Sequence, residues 1–478
     1  MWIIASVKQD EHQHISDTIS TMEFQAVVLA AGRGSRMTDL TSNATKSLLP
    51  IGNKPMVWYP INTLQRAGFE EAIVVVSKSY QAATQNLLDM CKVKMKLDIV
   101  GIPDQDYMGT ADTLRYIKDK IKRDVLVISC DLVTEISIHH IANIFRTYDA
   151  TVTMLLCNAS DMPADVPVPG PKSKKRTECD FIGFDEKGSR VLFMTSEADL
   201  ADKDDDKIKF RKSMLKRHPN INIRSNLTDC HLYLMKKWVI DYLSDNENIS
   251  SIKGELIPHL VKKQFTKRKK ADLPHTTESV ASQEVQTDIL SYISEPSLSE
   301  EIKAMSSWID HRGDMEECFH GSKIRCYAHI VNGGLCVRTN TVGTYCETNR
   351  QIPRFLKTIE KDQVNVHPSA ELKGRPQIGS DCLVGERCEL ADKVSVKRSI
   401  IGSECQISEK VKISSSLILN NVHIAEGCSI QGCIISDDAH IEEKCELKDC
   451  IVGSGQHIKA NSKFSNESLV ADEEMMEI

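Results

Sequence analysis

The sequence has 478 residues, of which 41% are apolar and 27% are charged, and its formal net charge is −7. This length is too great for one ordinary core and predicts two or three domains of a globular protein. The modest negative charge gives no indication of a nucleic-acid or anionic-membrane partner, and no apolar run is long enough to span a bilayer.

Residues 1–22 are predicted to be an N-terminal extension. The apolar start covers only Trp2 to Ala5, and Asp10 and Glu11 follow soon after, which is not the pattern of a signal peptide. The 16 cysteines include no Cys-x-x-Cys pair, which argues against a zinc ribbon. A chain of this length also needs no disulfide framework. We therefore expect a reduced protein of the cytosol.

Short apolar runs alternate with amphipathic segments between residues 23 and 265. The predicted strands are Phe24–Ala30, Ala72–Val76, Leu97–Ile102, Val125–Ser129, Thr151–Leu156 and Asp229–Met235. The predicted helices are Pro55–Gly68, Tyr80–Met90, Thr110–Ile121, Ile138–Tyr148 and Lys236–Leu243, with a hairpin over Phe181–Phe193. Alternation with strands that are apolar throughout predicts an α/β domain, in which helices cover both faces of a Rossmann-like parallel sheet. Ligands of such sheets bind beyond the carboxyl ends of the strands.

Several polar residues lie at these predicted strand ends, where they could contact a phosphate group. Gly32 and Gly34 follow the first strand and would let the backbone approach an anion closely. Arg36 and Lys46 add positive charge to the same segment. Thr110 opens a helix whose N-terminus could face the ligand. Asp131 follows the strand VLVIS and is the candidate magnesium ligand, expected only if a nucleotide binds.

Spacing alone does not establish a phosphate site, because a glycine-rich turn with solvated basic residues has the same pattern.

Further along the chain, residues 266–300 are polar with a basic start and are predicted to be a disordered linker. A connecting segment, 301–365, follows the linker, and helical sequence resumes near Ser299.

A repeat dominates residues 366–463. Aliphatic residues recur every six positions from Ile378 to Val396. Aliphatic pairs then recur every 17 residues, at Ile400–Ile401, Leu417–Ile418, Ile434–Ile435 and Ile451–Val452. These periods predict a parallel β-helix of hexapeptide repeats, whose inward aliphatic residues stack from coil to coil. Several cysteines occupy a small inward position of the repeat. An acidic tail, 464–478, is predicted to follow the β-helix.

Three motifs show a family resemblance. The segment AVVLAAGRGSRMTDLT…KSLLPIGNKPM resembles the N-terminal signature of sugar-nucleotide pyrophosphorylases, and GTADTL and SCDLV resemble two later motifs of that family. The resemblance implies a nucleotidyltransferase-type domain followed by a left-handed β-helix. It also implies that Lys46 corresponds to a lysine that contacts phosphate.

The chain departs from the pyrophosphorylase pattern at residues that the resemblance associates with catalysis. Thr45 and Ser47 replace the two prolines that flank the phosphate-contacting lysine. Asp112 stands where those enzymes usually have a small residue, and its charge would repel a triphosphate unless a metal were bound. The lysine expected a few residues after Phe193 is missing from Met194 to Ala198. These departures imply that sugar activation has been lost.

A second resemblance is closer. The segments MEFQAVVLAAGRGSRMTDLT, NKPMVWYPINTLQRAGFEE, MGTADTLRYI, IRCYAHI and MMEI are similar to the gamma-subunit family of translation initiation factor 2B. Membership implies a non-catalytic subunit of a guanine nucleotide exchange complex, which pairs with the epsilon subunit and assembles with the other subunits. That complex acts on initiation factor 2. The resemblance implies no required cofactor, no direct nucleic-acid contact and no membrane contact.

Two alternative functions remain open from the sequence. In the first, the chain is an active sugar-1-phosphate nucleotidyltransferase that uses Arg36 and Lys46 on the triphosphate and Asp131 on magnesium. In the second, the same loop senses a nucleotide or sugar nucleotide without turnover.

Overall fold

The computed structural model describes residues 23–41, 44–104, 108–158, 168–171, 179–197, 210–266, 288–293, 322–360 and 364–470. These residues form an α/β unit and a β-helix that share an apolar cluster. In this described part of the chain, no helix is both long enough and apolar enough to cross a membrane. The predicted N-terminal extension, most of the linker, the helical sequence near Ser299 and the last eight residues lie outside the described residues.

A seven-stranded sheet forms the centre of the α/β unit. Numbered in chain order and given in spatial order, its strands are β13 (Cys326–Ile330), β8 (Val152–Asn158), β12 (Leu227–Met235), β6 (Asp124–Ser129), β1 (Phe24–Leu29), β4 (Glu71–Ser77) and β5 (Lys96–Ile102). All neighbours are parallel except β12, which is antiparallel to both β6 and β8. The predicted Rossmann-like fold is confirmed, but the direction of β12 was not foreseen, because an apolar run covered on both faces does not encode strand direction.

Helices cover both faces of this sheet, as the alternating pattern predicts. The helices of the described α/β unit are α1 (Thr38–Thr41), α2 (Trp58–Arg66), α3 (Gln81–Met90), α4 (Thr110–Tyr116), α5 (Ile138–Thr147), α6 (Lys212–Arg217), α7 (Lys237–Ser244), α8 (Ile257–Lys263) and α9 (Val342–Ile359). Neighbouring strand residues point into different cores. Val28 packs in a cluster with α2, α5 and α9, whereas Val27 packs in a cluster with α4, α7 and α8. Both side chains are fully buried, so the sheet has no solvent-facing side here.

Smaller sheets are attached to this core. The predicted hairpin is present as β9 (Asp180–Phe184) and β10 (Val191–Ser196), and β11 (Asn222–Arg224) pairs with β9. Two further antiparallel pairs are β2 (Pro50–Ile51) with β3 (Lys54–Pro55), and β7 (Leu132–Thr134) with β14 (Cys336–Arg338).

The connecting segment 301–365 is more than a spacer. It supplies β13, the edge strand of the large sheet, as well as β14 and α9. Part of the predicted linker is also folded, because Ile289–Ser291 forms a 3-10 turn and Ile289 is buried in the α/β core. Tyr292 next to it donates a hydrogen bond to Asp245. The linker prediction therefore does not hold for residues 288–293.

The left-handed β-helix is confirmed as three parallel sheets of six short strands each, and it continues to Leu469, so residues 464–469 belong to its last coil and not to the predicted acidic tail. The strands of the first face are Glu371–Leu372, Glu389–Leu390, Gln406–Ile407, His423–Ile424, His440–Ile441 and His457–Ile458. Those of the second face are Gln377–Ile378, Ser395–Lys397, Lys412–Ser414, Ser429–Gln431, Glu446–Lys448 and Lys463–Ser465. Those of the third face are Leu383–Val384, Ile400–Ile401, Leu417–Ile418, Ile434–Ile435, Ile451–Val452 and Ser468–Leu469.

The third face packs against the α/β unit. In the pair Ile434–Ile435, Ile435 points into the β-helix core, whereas Ile434 belongs to the apolar cluster that contains Ile352 of α9. The same division holds for the other aliphatic pairs that are 17 residues apart. Polar contacts add to this interface, since the side-chain amide of Asn53 donates to the carbonyl oxygen of Ile401 at 3.2 Å. The two parts of the chain are therefore joined by a continuous apolar core.

Candidate functional site

The glycine-rich segment lies directly after β1, at the carboxyl edge of the parallel strands. Gly34 has a φ of +79°, and a Cβ atom there would lie 2.9 Å from Cγ2 of Thr41 and 3.1 Å from Cβ of Lys46. Only glycine fits this conformation and this close approach. Gly32 has no atom within 4 Å of an added Cβ, and Arg36 is exposed to solvent. The segment is therefore open at Gly32 and tightly packed at Gly34.

Asp131 is the centre of a buried ionic cluster at this edge. It follows β6, and only 1% of the residue is exposed. The ammonium group of Lys46 contacts its Oδ2 atom. The guanidinium of Arg338 donates from Nη2 to Oδ2 at 3.1 Å and from Nε to Oδ1 at 3.3 Å. Both carboxylate oxygens therefore already have cationic partners within the chain.

The two cations determine the charge state of this carboxylate. Burial alone would raise the pKa of Asp131, but the positive charges of Arg338 and Lys46 outweigh burial and hold that pKa well below its usual range. Burial likewise opposes the charge of Arg338, yet the neighbouring Asp131 raises the pKa of the guanidinium above its ordinary value. The ionised forms of Asp131 and Arg338 are thus favoured, and with the ammonium group of Lys46 the cluster has two cations for one carboxylate.

Arg338 reaches Asp131 because β14 pairs with β7. In this register Arg338 lies opposite Leu132, the residue after Asp131. Thr339 strengthens the attachment, since its backbone N–H and its hydroxyl both donate to the carbonyl oxygen of Asp131, at 2.8 and 3.0 Å. No local signal in the sequence marks Arg338, because it is 207 residues from Asp131 in a segment without a recognised motif.

A magnesium ion does not fit this arrangement. Magnesium takes carboxylate and phosphate oxygens and keeps several waters in an octahedral shell. At Asp131 both oxygens are buried and bonded to Lys46 and Arg338, so an ion would have to displace two cations from a desolvated carboxylate. Across the described ranges, no group of three His, Cys, Asp or Glu side chains is arranged to hold a metal.

The hydroxyl of Thr110, which was a candidate for contacting a ligand, is hydrogen-bonded within the chain. Its hydroxyl accepts a hydrogen bond from the backbone N–H of Ile252 at 2.8 Å, and the N–H of Ala111 donates to the carbonyl oxygen of Ser250 at 2.8 Å. A Cβ atom on Gly109 would overlap with that same carbonyl group. The N-terminus of α4 is therefore covered by the segment that begins the π-helical turn Ile252–Leu256.

Asp112 has a structural role at the same helix end. Its carboxylate accepts from the N–H of Gly109 at 2.9 Å and from the hydroxyl of Ser250 at 2.6 Å, and it also pairs with Arg115. Burial opposes its ionised form, but these hydrogen bonds and the charge of Arg115 lower the pKa of Asp112. Its charge is neutralised within the chain as part of a capping arrangement. The sequence predicts that the charge of Asp112 repels a triphosphate, but this carboxylate is already paired within the chain.

The neighbouring part of β12 contributes further buried polar groups that sequence reasoning missed. Asp229 accepts from the hydroxyl of Tyr233 at 2.6 Å and from the N–H of His231 at 2.8 Å, and burial raises the pKa of Asp229. His231 has a φ of +51° at an irregularity of the strand. Burial and the charge of Arg338 lower the pKa of His231, which favours its neutral form. A pairing irregularity of this kind cannot be recognised from side-chain periodicity.

The structure therefore brings together only part of the predicted site. Lys46 and Asp131 meet, and Gly34 packs against Lys46. Thr110 is bonded to a different segment, whereas Gly32 and Arg36 are exposed to solvent. The predicted site therefore consists of an exposed glycine-rich loop and of the Asp131 carboxylate, which is neutralised by Lys46 and Arg338.

Comparisons with known proteins agree with this architecture. Residues 25–164 match the family model described as nucleotidyl transferase, and residues 361–464 match the model described as the EIF2B subunit epsilon LbH domain. The chain is 31% identical to translation initiation factor eIF2B subunit gamma of Schizosaccharomyces pombe, over 78% of this chain and 74% of that protein.

Two further proteins with the same name are also similar. Identity is 29% to the protein of Dictyostelium discoideum, over 79% of this chain and 87% of that protein. It is 28% to the protein of Caenorhabditis elegans, over 71% of this chain and 70% of that protein. The two family models match parts of the α/β unit and of the β-helix in one chain. This chain therefore belongs to the family of gamma subunits of translation initiation factor eIF2B.

Proposed function

We propose that this chain is a non-catalytic subunit of the initiation factor 2B guanine nucleotide exchange complex in the cytosol. In this proposal it pairs with the epsilon subunit, assembles with the other subunits and supports GDP-to-GTP exchange on initiation factor 2. The family of the chain supports the assignment to the complex. The observation that carries the non-catalytic role is the neutralisation of Asp131 by Lys46 and Arg338.

Nucleotidyl transfer requires compensation of the negative charge that the triphosphate brings to the site. In this chain the carboxylate that would hold a metal is occupied by cations, and the lysine that would contact phosphate is bound to that carboxylate. Both groups are thus used for internal stability, which supports a role other than sugar activation.

Nucleotide exchange needs no covalent chemistry. A partner accelerates it by binding the nucleotide-free state of the G protein better than the nucleotide-bound state. A rigid subunit can contribute by holding the exchange-active subunit in the orientation that favours this state. The continuous apolar core between the α/β unit and the β-helix is consistent with such a rigid support.

Reconstitution tests this proposal. The chain is co-expressed with the epsilon subunit, and release of a fluorescent GDP analogue from initiation factor 2 is measured for the pair and for the epsilon subunit alone. We expect co-purification and faster release with the pair. If the chain elutes alone and leaves the release rate unchanged, the proposal fails.

An active nucleotidyltransferase is the second candidate, favoured by the nucleotidyl transferase match over residues 25–164. Its test is pyrophosphate release from nucleoside triphosphates and sugar 1-phosphates, with Asp131→Asn as the comparison. We expect no release above background from either protein. Release by the unchanged chain that Asp131→Asn abolishes would establish the enzyme and contradict the non-catalytic role.

Nucleotide sensing without turnover is the third candidate, favoured by the open loop at Gly32 and by the exposed Arg36. Calorimetry with GTP, ATP and sugar nucleotides tests it, and Arg36→Ala is the matched variant. Binding that weakens in Arg36→Ala would support sensing, whereas no heat with any ligand would remove it. Nucleotide sensing and complex assembly can coexist in one protein, and each has its own test.

A further inference from the structure

Three cysteines from distant parts of the sequence meet at the carboxyl edge of the sheet. Cys157 lies near the end of β8, Cys230 lies at the irregular part of β12, and Cys336 is the first residue of β14. The sulfur atoms of Cys230 and Cys336 are 3.5 Å apart. All three side chains are buried, and Cys157 is the most accessible, with 9% exposed against 7% for Cys336 and none for Cys230.

The three thiols do not share the same ionisation tendency. Hydrogen bonds from Cys230 and Cys336 lower the pKa of Cys157, and the nearby charge of Arg338 lowers it further. The same hydrogen bonding, together with burial, raises the pKa of Cys230 well above its ordinary value and raises that of Cys336 to about 12. Cys157 is thus the member of the cluster in which the thiolate form is favoured.

We propose that this cluster is a reversible thiol–disulfide switch, in which a hydroperoxide converts the Cys230 and Cys336 thiols into a disulfide. The contact of 3.5 Å requires only a small approach of the sulfur atoms to reach bonding distance. Cys157, the most accessible member of the cluster, begins the reaction.

The chemistry balances with one molecule of hydrogen peroxide. The Cys157 thiolate attacks a peroxide oxygen, the O–O bond breaks, and a sulfenic acid and hydroxide result. Cys336 gives up its proton and attacks the Cys157 sulfur, so that an S–S bond forms and the second hydroxide leaves. Cys230 then gives up its proton, attacks the Cys336 sulfur and expels Cys157 as a thiolate, whose lowered pKa makes it a good leaving group. The protons from Cys336 and Cys230 convert the two hydroxides into water. In total, two thiols are oxidised, and peroxide is reduced to two waters.

The location of this disulfide gives it a structural effect. It would join β12 to β14, and Arg338 lies only two residues beyond Cys336 in the same strand. The bond would close a loop between residues that are 106 positions apart. Oxidation would therefore attach the connecting segment covalently to the sheet next to the Asp131 cluster. The reduced chain keeps only the non-covalent attachment.

Peptide mapping of the full chain tests the switch. The purified protein is treated with hydrogen peroxide, remaining thiols are blocked with N-ethylmaleimide, and the digest is analysed by mass spectrometry before and after dithiothreitol. We expect a Cys230–Cys336 cross-linked peptide that dithiothreitol removes. If both cysteines remain alkylated, or if the disulfide forms between stacked β-helix cysteines such as Cys433 and Cys450, the proposal is overturned.

Two variants assign the roles. In Cys157→Ser we expect the Cys230–Cys336 cross-link to form about tenfold more slowly, because the reactive thiolate is gone. In Cys346→Ser, which removes a buried thiol outside the cluster, we expect the unchanged rate. A cross-linking rate in Cys157→Ser equal to that of the unchanged chain would overturn the role of Cys157. The peptide mapping of the unchanged chain tests the disulfide itself and does not depend on whether a variant folds.

Discussion

The guanidinium of Arg338 donates hydrogen bonds to both carboxylate oxygens of Asp131, although 207 residues separate the two in the chain. We predict that Arg338→Ala lowers the free energy of unfolding by about 1.5–3 kcal/mol, because the buried carboxylate keeps Lys46 as its counter-ion but loses two charge-assisted hydrogen bonds, including the one to its Oδ1 atom. Urea unfolding followed by circular dichroism measures the change. Arg375→Ala, at an exposed position in the β-helix, is the control and should have little effect. Equal losses in the two variants would contradict the role assigned to Arg338.

Acid stability should depend on Asp131. Its pKa in the folded chain lies well below the ordinary value of 3.8, so the unfolded chain binds this proton more readily. The carboxylate therefore contributes its full stabilisation above the unfolded pKa, and the contribution is lost as pH falls through the lower folded pKa.

We accordingly expect the free energy of unfolding of the unchanged chain to fall more steeply below pH 3.8 than that of Asp131→Asn. Denaturant titrations at a series of acidic pH values compare the two slopes. Glu71→Gln changes an exposed carboxylate and serves as the control for the altered charge. Parallel slopes for the unchanged chain and Asp131→Asn would show that this carboxylate is not linked to acid unfolding.

The glycine-rich segment offers a matched pair of substitutions. Gly34→Ala should lower the free energy of unfolding by about 1–3 kcal/mol, because alanine would be strained at positive φ and would crowd Thr41 and Lys46. Gly32→Ala should cost nothing, since its added Cβ meets no atom within 4 Å. Thermal unfolding of both variants provides the comparison. A loss at Gly32 as large as at Gly34 would mean that the loop conformation has been misassigned.

Adjacent isoleucines of the β-helix should have separable effects. Each of Ile434→Ala and Ile435→Ala should lower the free energy of unfolding by about 2–5 kcal/mol, because both side chains are fully buried. Ile434 faces the cluster that contains α9, so its variant should weaken amide-exchange protection in α9. Ile435 faces the interior of the β-helix, so its variant should weaken protection in the neighbouring coils.

Hydrogen exchange read by mass spectrometry distinguishes these two patterns. Identical patterns for the variants would indicate that the α/β unit and the β-helix open as one cooperative unit. Loss of protection in the coils alone for Ile434→Ala would contradict the assigned interface.

Most of the fold could be predicted because it follows from periodicity. Apolar runs identified the sheet strands near their observed positions, and the six-residue period identified the β-helix. The sequence shows the aliphatic pairs, but only the structure shows which core each residue of a pair faces. The second residue, such as Ile435, fills the coil, whereas the first, such as Ile434, covers the α/β unit. A repeat alone does not reveal which of its faces another part of the chain covers.

The candidate site was less predictable, because its decisive contacts join distant segments. Lys46 belongs to the segment that follows the first predicted strand and Asp131 follows the strand VLVIS, so the two could face one site, and the structure brings them into contact. Arg338 comes from a short strand whose pairing with β7 no local pattern indicates. Thr110 was expected to face a ligand, but a turn more than a hundred residues later uses its hydroxyl instead. Long-range pairing of this kind depends on three-dimensional packing that a single sequence does not encode locally.

The origin of β13 and β14 has a consequence for synthesis of the protein. Translation proceeds from the N-terminus, so β6 and β8 leave the ribosome long before residues 326–338 exist. Until then one edge of the large sheet lacks its outer strand, and Asp131 lacks Arg338. A nascent chain that stops near residue 265 would therefore expose an unpaired strand edge, which is a site for aggregation or chaperone binding. Completion of the α/β unit has to wait until the ribosome has nearly reached the β-helix.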